Sequence, residues 1–119
     1  MVVDDNLTVL EVISVMLGVK GYKIMSATSG KKALQILKKT SYIDAVILDM
    51  NMPDISGREV YQEIRKMNNK LPVLICTGNI SDQFSDLKTN SQITGHIIKP
   101  FTGEEISNAL KMLIQTEVN

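Results

Sequence analysis

Short apolar runs alternate along the chain with stretches of helical periodicity, and this alternation restricts the possible folds more than any other feature. Met1-Val2-Val3, Tyr22 to Ala27, Ala45 to Leu48, Val73 to Cys76 and His96 to Ile98 read as strands. Ala45-Val46-Ile47-Leu48 is continuously apolar, as a strand covered on both faces must be. Between the runs lie helical patterns. Val9, Leu10, Val12, Ile13, Met16 and Leu17 form one stripe, ended by Gly21. Ala33, Leu34, Ile36 and Leu37 form a second, begun through Ser29-Gly30. Val60, Ile64 and Met67 mark a third, opening near Ser56-Gly57 and closed by Asn68-Asn69. Ile106, Ala109, Leu110, Leu113 and Ile114 form the last, with Thr102 as cap and Glu105 three residues on. Ser81 to Asn90 offers only Phe84 and Leu87 as apolar anchors among turn-favouring residues, which predicts a short or mobile helix. Five strands and five helices in strict alternation predict an α/β fold, a parallel sheet with helices on both faces.

Composition narrows the class further. A length of 119 residues suits one domain, spanning 1–119. The apolar share of 44% suffices for a core, and with aromatics at 4% and no Trp that core must be aliphatic. Thirteen basic residues balance thirteen acidic ones, which removes the electrostatic reason to expect direct nucleic-acid binding or an anionic membrane surface. Cys76 is the one cysteine, so no internal disulfide framework exists and a reducing cytoplasm is expected. No apolar run approaches the roughly 20 residues of a membrane span.

In an open α/β sheet, ligand sites gather at the carboxyl ends of the strands. The first predicted strand ends in Asp4-Asp5, the third in Asp49, the fourth in Thr77-Gly78 and the fifth in Lys99-Pro100. If the first, third, fourth and fifth strands are neighbours, three carboxylates, a hydroxyl and an ammonium converge on one cleft. Three like charges repel unless compensated, and a divalent cation with hard oxygen ligands is the natural compensator. A cation, a lysine and a hydroxyl around one carboxylate suit a phosphoryl group attacked by that carboxylate.

Four segments carry a more specific likeness: Val2-Val3-Asp4-Asp5-Asn6, Val46 to Gly57 (with Asp49, Met50, Asn51 and Pro53), Pro72 to Gly78, and Ile97-Ile98-Lys99-Pro100-Phe101. In this order and at these separations, the sequence resembles the receiver domain of two-component response regulators. The resemblance implies a three-layer α/β/α sandwich, flavodoxin-like, with five parallel strands in the order 2-1-3-4-5. It implies that Asp49 is the phosphoacceptor. Asp5 and Asp49 would bind Mg2+ directly (Mn2+ an acceptable substitute), Asp4 through a water and Asn51 through its backbone carbonyl. Thr77 and Lys99 would bind the phosphoryl group, helped by the backbone N–H groups of Met50 and Gly78, with a cis peptide before Pro100 aiming Lys99 inward. Thr77 is expected to follow the phosphoryl group and to couple to the aromatic switch position in the fifth strand, which here is His96.

The departures are informative. An imidazole at the switch position alters the usual rotamer coupling. Gly78 stands where Ala is common and widens access. Asn51 and Asn79 are not acidic, so no fast built-in hydrolysis is expected. With only Met1 ahead of the first motif, the chain reads as an excised receiver module or a stand-alone regulator; the wording around Asp49 and Cys76 is most similar to receivers of hybrid sensor histidine kinases. The implied partners are a sensor histidine kinase or phosphotransfer protein, an attached kinase or effector domain, and a second copy in a homodimer, with no membrane insertion. External-substrate turnover is not expected, only assisted self-phosphorylation and self-dephosphorylation. Two other readings compete: a phosphorylation-independent pseudo-receiver, and an Asp-nucleophile phosphatase, which would need a second acid where Asn51 stands.

Overall fold

The computed structural model describes residues 1–50, 52, 54–68, 70–78, 94–99 and 101–118. Among these the elements are β1 (Val2–Val3), α1 (Leu7–Val19), β2 (Ser26–Ala27), α2 (Gly30–Lys39), β3 (Val46–Asp49), α3 (Gly57–Met67), β4 (Val73–Thr77), β5 (Thr94–Ile98) and α4 (Gly103–Val118). The helix predicted over Ser81 to Asn90 lies outside the described residues, as do Asn51, Asn79 and the peptide bond at Pro100. The strands form one parallel sheet in the order β2-β1-β3-β4-β5, the flavodoxin-like arrangement implied by the resemblance.

Side chains of a strand alternate between faces, so this sheet carries two cores. On one face Val3, Leu48, Val73 and Ile75 pack with Ala33 of α2 and Val60 and Ile64 of α3. On the other, Val2, Ile47, Leu74 and Cys76 meet Leu10, Ile13 and Leu17 of α1 and Ile106, Leu110 and Leu113 of α4. β3 and β4 are buried throughout, which is why both read as unbroken apolar runs. Each fully buried aliphatic side chain contributes about 1.5–3 kcal/mol.

Local chemistry sets the helix ends. Asn6, Ser29 and Ser56 each turn a side-chain oxygen onto a first-turn N–H, those of Val9, Lys32 and Glu59. Thr102 and Glu105 form a reciprocal capping box: Glu105 N donates to Thr102 Oγ1 (3.1 Å) and Thr102 N to Glu105 Oε1 (3.2 Å). After α1 the chain turns at Gly21, whose φ of 96° is left-handed backbone that favours glycine.

Besides shifts of one residue at β1, β3 and β4, two strands and one helix face differ from the sequence reading. β2 is shorter than Tyr22 to Ala27, although Val2 N still donates to Met25 O at 2.8 Å. β5 begins at Thr94, ahead of His96. A Thr-Gly strand start carries no apolar signal; a buried polar cluster holds it instead. Thr94 Oγ1 lies 2.8 Å from the Tyr61 hydroxyl and accepts from Arg65 Nη2 at 2.9 Å, while Arg65 Nη1 donates to Leu71 O at 2.6 Å. The α1 stripe is also narrower than predicted. It buries Leu10, Ile13 and Leu17, whereas Val12 faces solvent.

Candidate functional site

The topology delivers the acidic residues to one edge. β1 lies between β2 and β3, so Asp4, just beyond β1, emerges beside Asp49 at the end of β3. The β3–β4 register pairs Asp49 with Cys76, which puts Thr77 one step further along. Lys99 N donates to Thr77 O at 2.8 Å, extending the β4–β5 ladder and bringing the lysine to the same edge.

Asp4, Asp5 and Asp49 each offer a carboxylate oxygen within 4.8 Å of one another. Asp4 and Asp49 are buried, at 3% and 4% exposure, and Asp5 is open to solvent. The Lys99 ammonium donates to Asp4 Oδ2 at 3.3 Å and to Asp49 Oδ1 at 3.4 Å. Burial works against its charge, but the Asp49 and Asp4 carboxylates outweigh it and raise its pKa above the usual lysine value. Lys99 is therefore cationic throughout the physiological range. Below the site, burial pushes the Cys76 thiol up to about 12; nearby Lys99 pulls it down, and Asp49 and Asp4 push it further up. That sulfur stays a neutral core atom.

The two oxygens of Asp4 are both engaged, Oδ2 by Lys99 and Oδ1 by the N–H of Asn6 at 2.9 Å. Three carboxylates facing one ammonium leave an excess of negative charge at short range, and the donors are all hard oxygens. This donor set fits Mg2+. The contribution of the Asn51 carbonyl lies outside the described residues.

The remaining sequence-predicted positions fall as follows. Thr77 is buried at the end of β4. Gly78 is exposed, and among the described residues a Cβ there would meet nothing within 4 Å. Met50 sits beside Asp49, but its N–H donates to Cys76 O at 3.2 Å, continuing the β3–β4 ladder. In this geometry that N–H belongs to the sheet. His96 lies on β5 opposite Ile75, with its side chain on the exposed surface.

Two supports of the site escaped the sequence reading. A Cβ on Gly57 would stand 2.5 Å from Met50 Cα and 2.9 Å from Asp49 O, so the start of α3 rests directly on the backbone that carries Asp49. Asp54 reaches back to α2, accepting the N–H groups of Gly30 (3.3 Å) and Lys31 (3.1 Å). The Ser56-Gly57 pair signals a helix start, but nothing local reveals what that glycine touches. Nor does the sequence show that Asp54 has a partner 24 residues earlier.

Comparison with known proteins agrees with this geometry. The sequence model of the response regulator receiver domain matches residues 1–111. The probable transcriptional regulatory protein TcrX of Mycobacterium tuberculosis is 32% identical over 97% of this chain and 49% of its own length. The probable transcriptional regulator ycf27 of Cyanophora paradoxa is 28% identical over 100% of this chain and 49% of its own length. The chain thus spans about half the length of these curated relatives. Among solved structures, the response regulator TrrA of Thermotoga maritima, in complex with Mg2+ and BeF, superposes with a TM-score of 0.80 at 34% identity, covering 94% of this chain and 95% of its own. A receiver domain protein from Clostridium thermocellum gives a TM-score of 0.87 at 30% identity, over 98% and 94% of the two chains. With nearly its whole length matched and the acidic edge assembled as described, this chain belongs to the response regulator receiver domain family.

Proposed function

We propose that residues 1–119 act as one receiver domain in which Asp49 accepts a phosphoryl group from a partner's phosphohistidine, with Mg2+ held by Asp5 and Asp49. The observation that carries this reading is the buried Asp49 carboxylate with the Lys99 ammonium 3.4 Å away and two further carboxylates within 4.8 Å. An Asp49 oxygen attacks phosphorus, the N–P bond of the donor breaks, and its electrons return to the imidazole nitrogen. Bound Mg2+ supplies charge neutralisation for the phosphoryl oxygens. Lys99 moves from the carboxylates to one phosphoryl oxygen, the Thr77 hydroxyl donates to another, and the Gly78 N–H supports a third. Asp4 holds Lys99 at rest and accepts the Asn6 N–H throughout. The magnesium-bound BeF complex of TrrA, at 34% identity, supports Mg2+ as the cation. We assign Mn2+ only as a substitute. His96 is proposed as the surface position that reports the change at Thr77.

A phosphoryl donor of protein size needs a docking surface, and α1 supports one. The helix begins at Leu7, two residues after Asp5, and Glu11 is the one charged residue within it. Val12, Val15 and Val19 are exposed at 46%, 67% and 82% on its outer side. An apolar face of this kind, contiguous with a reactive site, marks a protein contact. The donor is a histidine kinase or phosphotransfer protein. Because the relatives named as probable transcriptional regulators are about twice as long, an attached effector domain acting on transcription belongs to the same proposal. No helix among the described residues is long and apolar enough to cross a membrane, and a cytoplasmic location is proposed with the rest.

The test uses two donors. In Mg2+, acetyl phosphate and a phosphorylated histidine phosphotransfer protein should each add one phosphoryl group, lost on chelation of the metal before donor is added. Val15→Asp should lower transfer from the protein donor about tenfold while leaving acetyl phosphate labelling within about twofold of wild type. No labelling by either donor would reduce the chain to a pseudo-receiver, and steady phosphate release from small organic phosphates would make it a phosphatase.

A further inference from the structure

The connection from Asp49 to α3 is fastened at two points. One is Gly57, already described. The other is Asp54, whose carboxylate crosses to the start of α2 and takes its first two N–H groups, those of Gly30 and Lys31. Ser29 takes the next two: its Oγ accepts Lys32 N at 3.2 Å and its carbonyl accepts Ala33 N at 3.1 Å. The N–H groups of Gly30, Lys31 and Lys32, which open the helix without internal partners, are thereby satisfied, two of the three by a residue far away in sequence. The positive end of the helix dipole also favours a carboxylate at this place. Ile55 completes the contact: a Cβ on Gly30 would stand 2.5 Å from its Cγ1, so glycine lets this loop lie against the helix. Although Asp54 is exposed and its slight burial works against ionisation, the backbone N–H groups of Lys31, Ile55, Gly30 and its own amide hold its carboxyl below the usual carboxylate range.

We infer that Asp54 is a positioning residue for the phosphoryl site, anchoring the loop after Asp49 onto α2 and so setting the affinity for the divalent cation. The inference rests on the reading of Asp49 and Asp5 as cation ligands. Asp54 itself touches neither the cation nor the phosphoryl group. It stands five positions after Asp49 in the chain and acts in the way that outer partners of a metal site orient the ligands.

Stability alone cannot test this, since losing any cap weakens a helix. Ser29→Ala supplies the control, because it removes a cap of the same helix that has no tie to the loop. Mg2+ titrations of the wild-type domain, followed by amide shifts, are compared with those of Asp54→Ala, Asp54→Asn and Ser29→Ala. Asp54→Ala should raise the Mg2+ Kd about tenfold. Asp54→Asn, which keeps one acceptor, should raise it about threefold, and Ser29→Ala should leave it within about 1.5-fold while lowering thermal stability. If Asp54→Ala does not fold, the Asn and Ser29 variants decide the matter at low temperature. An Mg2+ Kd unchanged in the Asp54 variants, or raised equally by Ser29→Ala, overturns the positioning role and leaves the site reading standing. A wild-type domain that does not titrate with Mg2+ overturns both.

Discussion

Asp49→Asn should abolish phosphoryl incorporation from either donor, a loss of at least about a thousandfold, while making the metal-free domain more stable. The two effects share one origin. Asp49 is the proposed nucleophile, and an amide oxygen cannot form the acyl phosphate. Yet the same carboxylate is one of three gathered within 4.8 Å, with the Lys99 ammonium against two of them, and removing one like charge relieves repulsion. In chelator, the variant should gain about 1 kcal/mol over wild type. Magnesium should reverse the order. A ligand bound only to the folded state stabilises it by RT ln(1 + [L]/Kd), about 2.7 kcal/mol at 100 times Kd, and the variant forfeits most of that. Urea unfolding with and without Mg2+, beside intact-mass measurement of labelling, reads all of this. Full labelling of the Asn variant would remove Asp49 from its role. An Mg2+ stabilisation as large as that of wild type would remove it from the cation site.

Gly57→Ala should destabilise the domain by about 3 kcal/mol and reduce phosphorylation with it. The added methyl would sit 2.5 Å from Met50 Cα, 2.7 Å from its sulfur and 2.9 Å from Asp49 O. Two of these are backbone atoms in a buried strand end, which cannot yield as a flexible side-chain tip would. Relief must come from displacing α3 or the Asp49 carbonyl, and either loosens the site. Gly78→Ala is the comparison. It also lies at the site edge, but among the described residues the new methyl meets nothing within 4 Å, and the backbone is not left-handed. Its effect on stability should stay within about 0.5 kcal/mol. Similar losses in both variants would show that crowding at Gly57 is not what matters.

Strand identity and the acidic edge were legible because each depends on short-range pattern. Ala45 to Leu48 is apolar at every position because β3 is covered on both faces, and Asp49 stands out as the first break in that run. The same holds for Thr77 after β4 and for the Thr102–Glu105 pair that opens α4. What stayed hidden depends on distant partners. Thr94-Gly95 does not look like a strand, since its stability comes from Tyr61 and Arg65 on α3 and from the Leu113 methyl 3.3 Å from where a Gly95 Cβ would stand. Asp54 looks like an ordinary turn acid until α2 is placed beside it. Val12 was assigned to the buried stripe of α1 because almost every residue of that helix is apolar, which erases the contrast that periodicity needs.

The division of the core between the two sheet faces bears on how the chain assembles as it leaves the ribosome. Among the described residues, the α2–α3 core is built from residues no later than Ile75, with Thr94 joining Tyr61 at its edge, so much of what is described there is made before the last helix. The α1 side waits for Ile97, Ile106, Leu110 and Leu113, nearly the whole chain after Val2 with which they pack. Leu10, Ile13 and Leu17 therefore lack part of their cover until translation is almost complete, on a helix whose outer surface is apolar as well. During synthesis that first helix is a segment that a chaperone would protect.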